Sequence, residues 1–115
     1  MDSFRLDCVF YYVSDLDRAS HFYTTVLDFA LDSRDAVARF RVDGLLFELV
    51  PTDSHELLSG QGNARLTLEV KDIEIAVQSL RTKGVTVSDI HQVSNGWLAE
   101  MKDPDGNEIV LWQYI

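Results

Sequence analysis

The chain has 115 residues, 46% of them hydrophobic and 25% charged, which suits one soluble domain with one substantial core. Its net charge of −9 would repel phosphate backbones and argues against a nucleic-acid partner. No apolar run approaches the roughly 18 residues of a membrane span, so no membrane role is expected either.

Cys8 is the sole cysteine, so no internal disulfide can form. The acidic start "MDSFRLD" lacks the basic-then-apolar pattern of an export signal, and a cytoplasmic protein is expected. Acidity of this degree keeps a protein soluble and also steers cationic ligands toward it.

In chain order, the first element is a strand ending at Val13. A helix over 15–27 follows, with Leu16, Ala19, Phe22, Tyr23, Val26 and Leu27 as its apolar stripe. Ser14 is the expected N-cap, and Asp17 lies where the helix dipole favours a negative charge. A middle strand is expected over 36–42, then a turn at "VDG" and a strand over 45–50. In that strand Leu45, Phe47 and Leu49 oppose Leu46, Glu48 and Val50. Residues 51–62 read as a linker. The strand over 64–70 sets Leu66, Leu68 and Val70 against Arg65, Thr67 and Glu69. Asp72 then caps a helix whose stripe is Ile73, Ala76, Val77 and Leu80, and Gly84 sits where a left-handed C-terminal residue is wanted. Segments 85–93 and 96–102 read as middle strands. "DPDG" at 103–106 fits a type I turn feeding the last strand.

These elements repeat. Val13 superposes on Val70, Asp15 on Asp72 and Ala19 on Ala76, a constant offset of 57 (70 less 13). Gly44 superposes on Gly106, an offset of 62 (106 less 44). Each half is therefore βαβββ, and the expected fold is α+β: two tandem modules, 1–52 and 63–115, forming a curved eight-stranded cup in a single domain with the helices outside. The more apolar strand faces should meet the helices. The opposite faces, with Cys8, Phe10, Tyr12, Glu48, Arg65, Thr67, Glu69, Glu108, Val110 and Trp112, should line a ligand cup. Trp97 is a further candidate for that lining.

On "VSDLDRASHFYTTVLDF" and "DPDGNEIVLW", in the right halves of a duplicated chain, the sequence resembles the vicinal oxygen chelate superfamily. That group includes glyoxalase I, extradiol dioxygenases, and fosfomycin- and bleomycin-resistance proteins. One departure is Asp28, where a Gly usually precedes Phe in the family's "LGF". The resemblance implies four inward metal ligands, which would fall on Cys8, Glu48, Arg65 and Val110. Arg65 has no lone pair to offer and Val110 has no ligating atom, so two candidates remain where catalytic zinc typically keeps three. His21, His55 and His91 fall at none of these positions and read as surface residues. The expectation is therefore no metal and no cofactor, with Arg65 supplying the positive charge that balances Glu48. As a nucleophile Cys8 would need a lowered pKa and a base nearby; as a small packed residue it needs neither.

The resemblance, read without a metal, implies a small-molecule binding protein of the bleomycin-resistance type, homodimeric and drug-sequestering, with a cationic or aromatic ligand. The alternative is a metal-free isomerase or lyase with Glu48 as general base and Arg65 holding an anionic substrate. A metal-dependent glyoxalase or dioxygenase ranks third.

Overall fold

The computed structural model of the protein describes residues 4–59, 62 and 64–115. Gly60, Gln61 and Asn63 of the expected linker and second module lie outside the described residues. The chain divides into two compact units, 1–60 and 61–115. Unit 1 runs β1 (Val9–Val13), α1 (Leu16–His21), a π-helical turn (Phe22–Val26), β2 (Ala30–Arg34), β3 (Ala38–Val42) and β4 (Leu45–Pro51), then a short helix α2 (His55–Ser59). Unit 2 runs β5 (Leu66–Glu69), α3 (Ile73–Thr82), β6 (His91–Val93), β7 (Gly96–Lys102) and β8 (Glu108–Tyr114).

The two sheets share one topology, β1-β4-β3-β2 and β5-β8-β7-β6. In each, the opening strand lies parallel to the closing strand, and the middle strands continue the sheet antiparallel. A parallel pair cannot be closed by a hairpin; it needs a long crossover, which is where each helix sits. The repeat holds down to its caps. Asp15 and Asp72 have nearly the same backbone (φ −133°, ψ 108° and φ −137°, ψ 104°), and each carboxylate accepts the N–H three residues on, from Arg18 at 3.0 Å and Ile75 at 3.1 Å. The expected cap Ser14 instead accepts a bond from the Arg18 guanidinium at 2.8 Å. The carboxylate one residue later has the extended backbone that a cap requires.

Four elements depart from expectation. The first helix changes to a π turn at Phe22, where Leu27 N–H reaches back five residues to Phe22 O (3.3 Å). Thr24 Oγ1 donates to Ser20 O at 2.8 Å, a back-bond that competes with the helix ladder, and Thr24, Thr25 and Val26 form a β-branched run. The βαβββ plan calls for β2, but its position was not marked because "ALDSR" lacks apolar alternation. It is exposed along its whole length and bulged between Leu31 and Ser33. The strand expected over 85–93 is confined to His91–Val93. Before it, Arg81 donates to Val87 O (3.0 Å) and Ser88 O (3.1 Å), while Ser88 meets β7 through its N–H to Glu100 O and its Oγ accepting from Glu100 N–H (both 2.9 Å), in place of a regular ladder. The linker also holds α2, capped by Ser54 Oγ on Leu57 N–H at 3.3 Å.

The buried faces agree with the alternation. In unit 1, α1 packs on β4, and Val13, Ala19, Tyr23, Ala38, Phe40, Phe47 and Leu49 have no exposure. This core is aromatic. Tyr23 and Phe47 rings lie 5.0 Å apart, with Phe29 at 5.7 Å from Tyr23 and 5.9 Å from Phe47. Unit 2 packs α3 on β7 and β8 around an aliphatic core of Ile73, Val77, Leu80, Val87, Ala99, Met101, Ile109 and Leu111. The "DPDG" turn is held by buried Asp103, whose Oδ1 accepts from the N–H of Asp105 and of Asn107, both at 2.9 Å.

Asp28 closes the first helix with φ +60°, in the left-handed region, and the next N–H, of Phe29, bonds Tyr23 O at 2.9 Å. Asp tolerates this backbone better than most residues but less well than Gly. Asp28→Gly is expected to stabilise the protein by about 0.5–1 kcal/mol, and a β-branched Asp28→Val to destabilise it by about 1 kcal/mol or more. Urea midpoints of the two variants check this; a midpoint unchanged or lowered by Asp28→Gly contradicts it.

Candidate functional site

In each unit the crossover helix packs on one sheet face, and strand register fixes what the opposite, open face carries. In unit 1, Glu48 on β4 has Phe10 of β1 on one side and Arg39 of β3 on the other. The next row pairs Tyr12 with Val50, and the row on the far side of Glu48 pairs Leu46 with Arg41. Phe10 is 45% exposed and meets Tyr12 edge-on, with ring centroids 5.1 Å apart. Arg39 is tied by Asp35 at 3.2 Å and 3.3 Å and by Ser33 Oγ at 3.4 Å. Backbone and Arg39 hydrogen bonds hold the Asp35 carboxyl below its usual range.

Cys8 lies just before β1, half-buried, and its sulfur is grouped with carboxylate oxygens of Asp7 and Glu48, all within 4.8 Å of one another. Burial first, then the charge and hydrogen bond of Glu48, then Asp7, push the Cys8 thiol up. A thiol so placed is less nucleophilic at neutral pH, which favours packing over catalysis for Cys8.

In unit 2, Glu108 on β8 stands opposite Lys102 of β7 and forms an ion pair with Arg65, which precedes β5. Arg65 also donates to Gly62 O and Ala64 O, both at 3.0 Å. The carboxylate that engages Arg65 is thus Glu108, on the neighbouring strand of its own sheet. Sequence reasoning had instead offered Glu48, whose neighbour in register is Arg39. The next row joins Thr67, Val110 and Glu100, and the one after it Glu69, Trp112 and Leu98. Trp112 therefore shares the open face with Val110, as its parity requires. Trp97 does not: it pairs with Gln113, one residue out of phase with Trp112, and so lies on the helix-covered face. There it lines a cavity of about 460 Å³ with Ile73, Ile90 and Gln113 beside the start of α3.

Arg39, Arg41, Glu100 and Lys102 were not singled out from the sequence. The alternation in "ARFRV" was legible, since burying Ala38 and Phe40 sends both arginines to the open face. The histidines lie outside the two ligand sets. His21 is on α1 and His55 opens α2, both exposed, while His91 is exposed on the edge strand β6.

A family model matches residues 5–111, nearly the whole chain. The chain belongs to the glyoxalase/bleomycin resistance protein/dioxygenase superfamily. No curated protein matches it. Among solved structures, TnmS3, an antibiotic binding protein from Streptomyces sp. CB03234, is similar at 26% identity over 100% of this chain and 99% of its own, with a TM-score of 0.80. A glyoxalase/bleomycin resistance protein/dioxygenase from Nocardioides shares the fold at 20% identity, over 100% of this chain and 86% of its own, with a TM-score of 0.78. So does a lactoylglutathione lyase from Agrobacterium tumefaciens, at 17% identity over 91% and 90% of the two chains, with a TM-score of 0.76.

Superfamily members that carry a metal draw ligands from the opening and closing strands of both halves, and the donors here do not fit that set. Unit 2 offers a cation already paired with Glu108 and an aliphatic Val110, neither of which can donate an electron pair to an ion. In unit 1 the donor atoms of Asp7, Cys8 and Glu48 lie within 4.8 Å of one another and could hold an ion, but that group draws on Asp7, outside the four family positions, and on nothing from unit 2.

The Cys8 surroundings make a measurable difference. Glu48→Gln removes one cause of the raised thiol pKa, so more thiolate should be present at pH 8 and alkylation by iodoacetamide should speed up. Burial remains, so the rate should stay below that of a free thiol. An unchanged or slower rate in Glu48→Gln would contradict the assigned contact.

Proposed function

We propose that the protein is a metal-independent small-molecule binding protein of the glyoxalase/bleomycin-resistance type, sequestering a drug-like aromatic ligand on the open faces of its sheets. The observation that carries this reading is the composition of those faces. Aromatic side chains lie in register beside single carboxylates, Phe10 beside Glu48 and Trp112 beside Glu69. Apolar surface with a few placed polar groups is the usual make-up of a ligand site. The likeness to an antibiotic binding protein over the full length of both chains supports the same reading, as does an acidity that favours cations in the encounter. The residues proposed to touch ligand are Cys8, Phe10, Tyr12, Glu48, Thr67, Val110 and Trp112, with Arg65 at the margin.

The enzyme reading, with Glu48 as general base and Arg65 as anion holder, is weaker. Arg65 is already engaged by Glu108 and two backbone carbonyls, which leaves it less charge for a substrate. The protein is further proposed to work as a homodimer, because each four-stranded sheet has edge strands to cover.

Equilibrium titration with a panel of cationic aromatic antibiotics tests the binding reading. At least one is expected to bind, and Phe10→Ala or Tyr12→Ala to weaken it by about 1–2 kcal/mol, the scale of a lost aromatic contact. Binding to none of them sinks the proposal. Light scattering on the same samples should give twice the 13.1 kDa chain mass; the monomer mass at micromolar concentration rules out the dimer.

A further inference from the structure

The duplication lets the two helix starts be compared residue by residue. In unit 1 the polar groups there satisfy one another. Asp17 is paired with Arg34 of β2, and Ser14 accepts a hydrogen bond from the Arg18 guanidinium at 2.8 Å. At the same offset of 57, the counterparts of Asp17 and Ser14 in unit 2 are Glu74 and Lys71. Among the described residues, neither of those side chains has a hydrogen bond or an ion pair. Unit 2 therefore leaves two opposite charges unmatched where unit 1 matches its own.

Both charges border the cavity of about 460 Å³ beside the start of α3, a volume within the range of roughly 300–1,000 Å³ usual for small-molecule sites. Its apolar wall is made by Trp97 and Ile90, both half-buried, and by buried Ile73. Gln113 adds a fixed polar group. It stands where unit 1 has Pro51, at the offset of 62, and its Oε1 accepts the Ile73 N–H at 2.7 Å. That bond settles which way the amide points, so Nε2 is left as a donor, and it has no acceptor among the described residues. Asp72 also lines the cavity, but its Oδ1 is taken by the Ile75 N–H at 3.1 Å. Because Trp97 and Gln113 are out of phase with Trp112, the cavity lies on the other side of the sheet from the open face.

A matching ligand needs an apolar body for Trp97, Ile90 and Ile73, an anionic group for Lys71 and the Gln113 amide, and a cationic group for Glu74. An acid or an amine alone satisfies one charged side chain and sets a like charge near the other. We propose that this cavity is a second binding site, for a free α-amino acid with a large apolar side chain. Lys71 and Gln113 Nε2 receive its carboxylate, Glu74 its ammonium, and Trp97 the side chain. This goes beyond the open-face reading and does not depend on it.

The test uses L-phenylalanine, 3-phenylpropionate, which lacks the ammonium, and phenethylamine, which lacks the carboxylate. By calorimetry L-phenylalanine is expected to bind saturably, with each analogue at least about threefold weaker, the scale of one exposed charge pair. Glu74→Gln should bring L-phenylalanine down to the level of 3-phenylpropionate, and Lys71→Gln should bring it down to the level of phenethylamine. Both substitutions are at exposed positions and leave the core alone. L-phenylalanine should also change the tryptophan emission of the protein, and Trp97→Phe should abolish that change. No binding of L-phenylalanine at tens of millimolar overturns the site. Equal binding of the three probes overturns the ligand class, and an emission change that survives Trp97→Phe overturns the placement. Lys71→Gln and Glu74→Gln should leave binding of the antibiotic panel unaltered; a parallel loss of both ligands would mean one shared site and overturn the proposal of a second. If the panel binds and L-phenylalanine does not, the cavity site fails and the open-face reading stands; if L-phenylalanine alone binds, the reverse holds.

Discussion

A single helix covers one face of each four-stranded sheet, and most of this molecule follows from that constraint. Once Phe40, Phe47 and Leu49 are committed to α1, and Ala99, Ile109 and Leu111 to α3, the period of two along each strand dictates what stands on the uncovered side. Glu48, Val110 and Trp112 are on the open faces because their neighbours in sequence are in the core. A shift of one residue in either closing strand would bury Glu48 or Glu108 without compensation and expose Phe47 or Ile109, so the register that builds the core also protects the site. The capping carboxylates Asp15 and Asp72 start the two crossovers at equivalent points and so hold the opening strands in equivalent positions.

The same constraint governs the positions that correspond to the superfamily's metal ligands. Side chains there still point to the open faces, but their chemistry has changed. In unit 2 a cation stands where a neutral donor would be needed, and its charge is consumed by Glu108 one strand away. In unit 1 Glu48 stands in register between Phe10 and Arg39, and the Arg39 guanidinium is engaged by Asp35. The thiol of Cys8 is pushed away from ionisation by burial and by the Glu48 carboxylate. Both faces carry aromatic surface with scattered carboxylates.

Much of this could be read from the sequence, and the parts that could not have physical reasons. The duplicated βαβββ plan was legible because caps, turns and alternation recur at constant offsets. The left-handed backbone at Asp28 was legible from the family's glycine at that position. The position of β2 was not, because an exposed, bulged edge strand has no apolar alternation to display. The stretch 85–90 alternates like a strand, yet Arg81 takes two of its carbonyls from the side. Trp97 shows the limit of residue type as a guide. An aromatic near a candidate site invites assignment to it, but only the pairing with Gln113 reveals that it faces the helix. The partner of Arg65 was likewise a matter of register, since Leu66 opposite Ile109 places Arg65 next to Glu108.

The central claim is that open-face side chains, and no bound ion, hold the ligand. Metal analysis of protein purified without chelator, combined with ligand titration before and after chelator treatment, tests it most directly. The account predicts zinc, nickel, manganese and iron well below one per chain and the same ligand affinity in both preparations. Stoichiometric metal that is lost in Glu48→Ala, with ligand binding lost alongside it, would contradict the account.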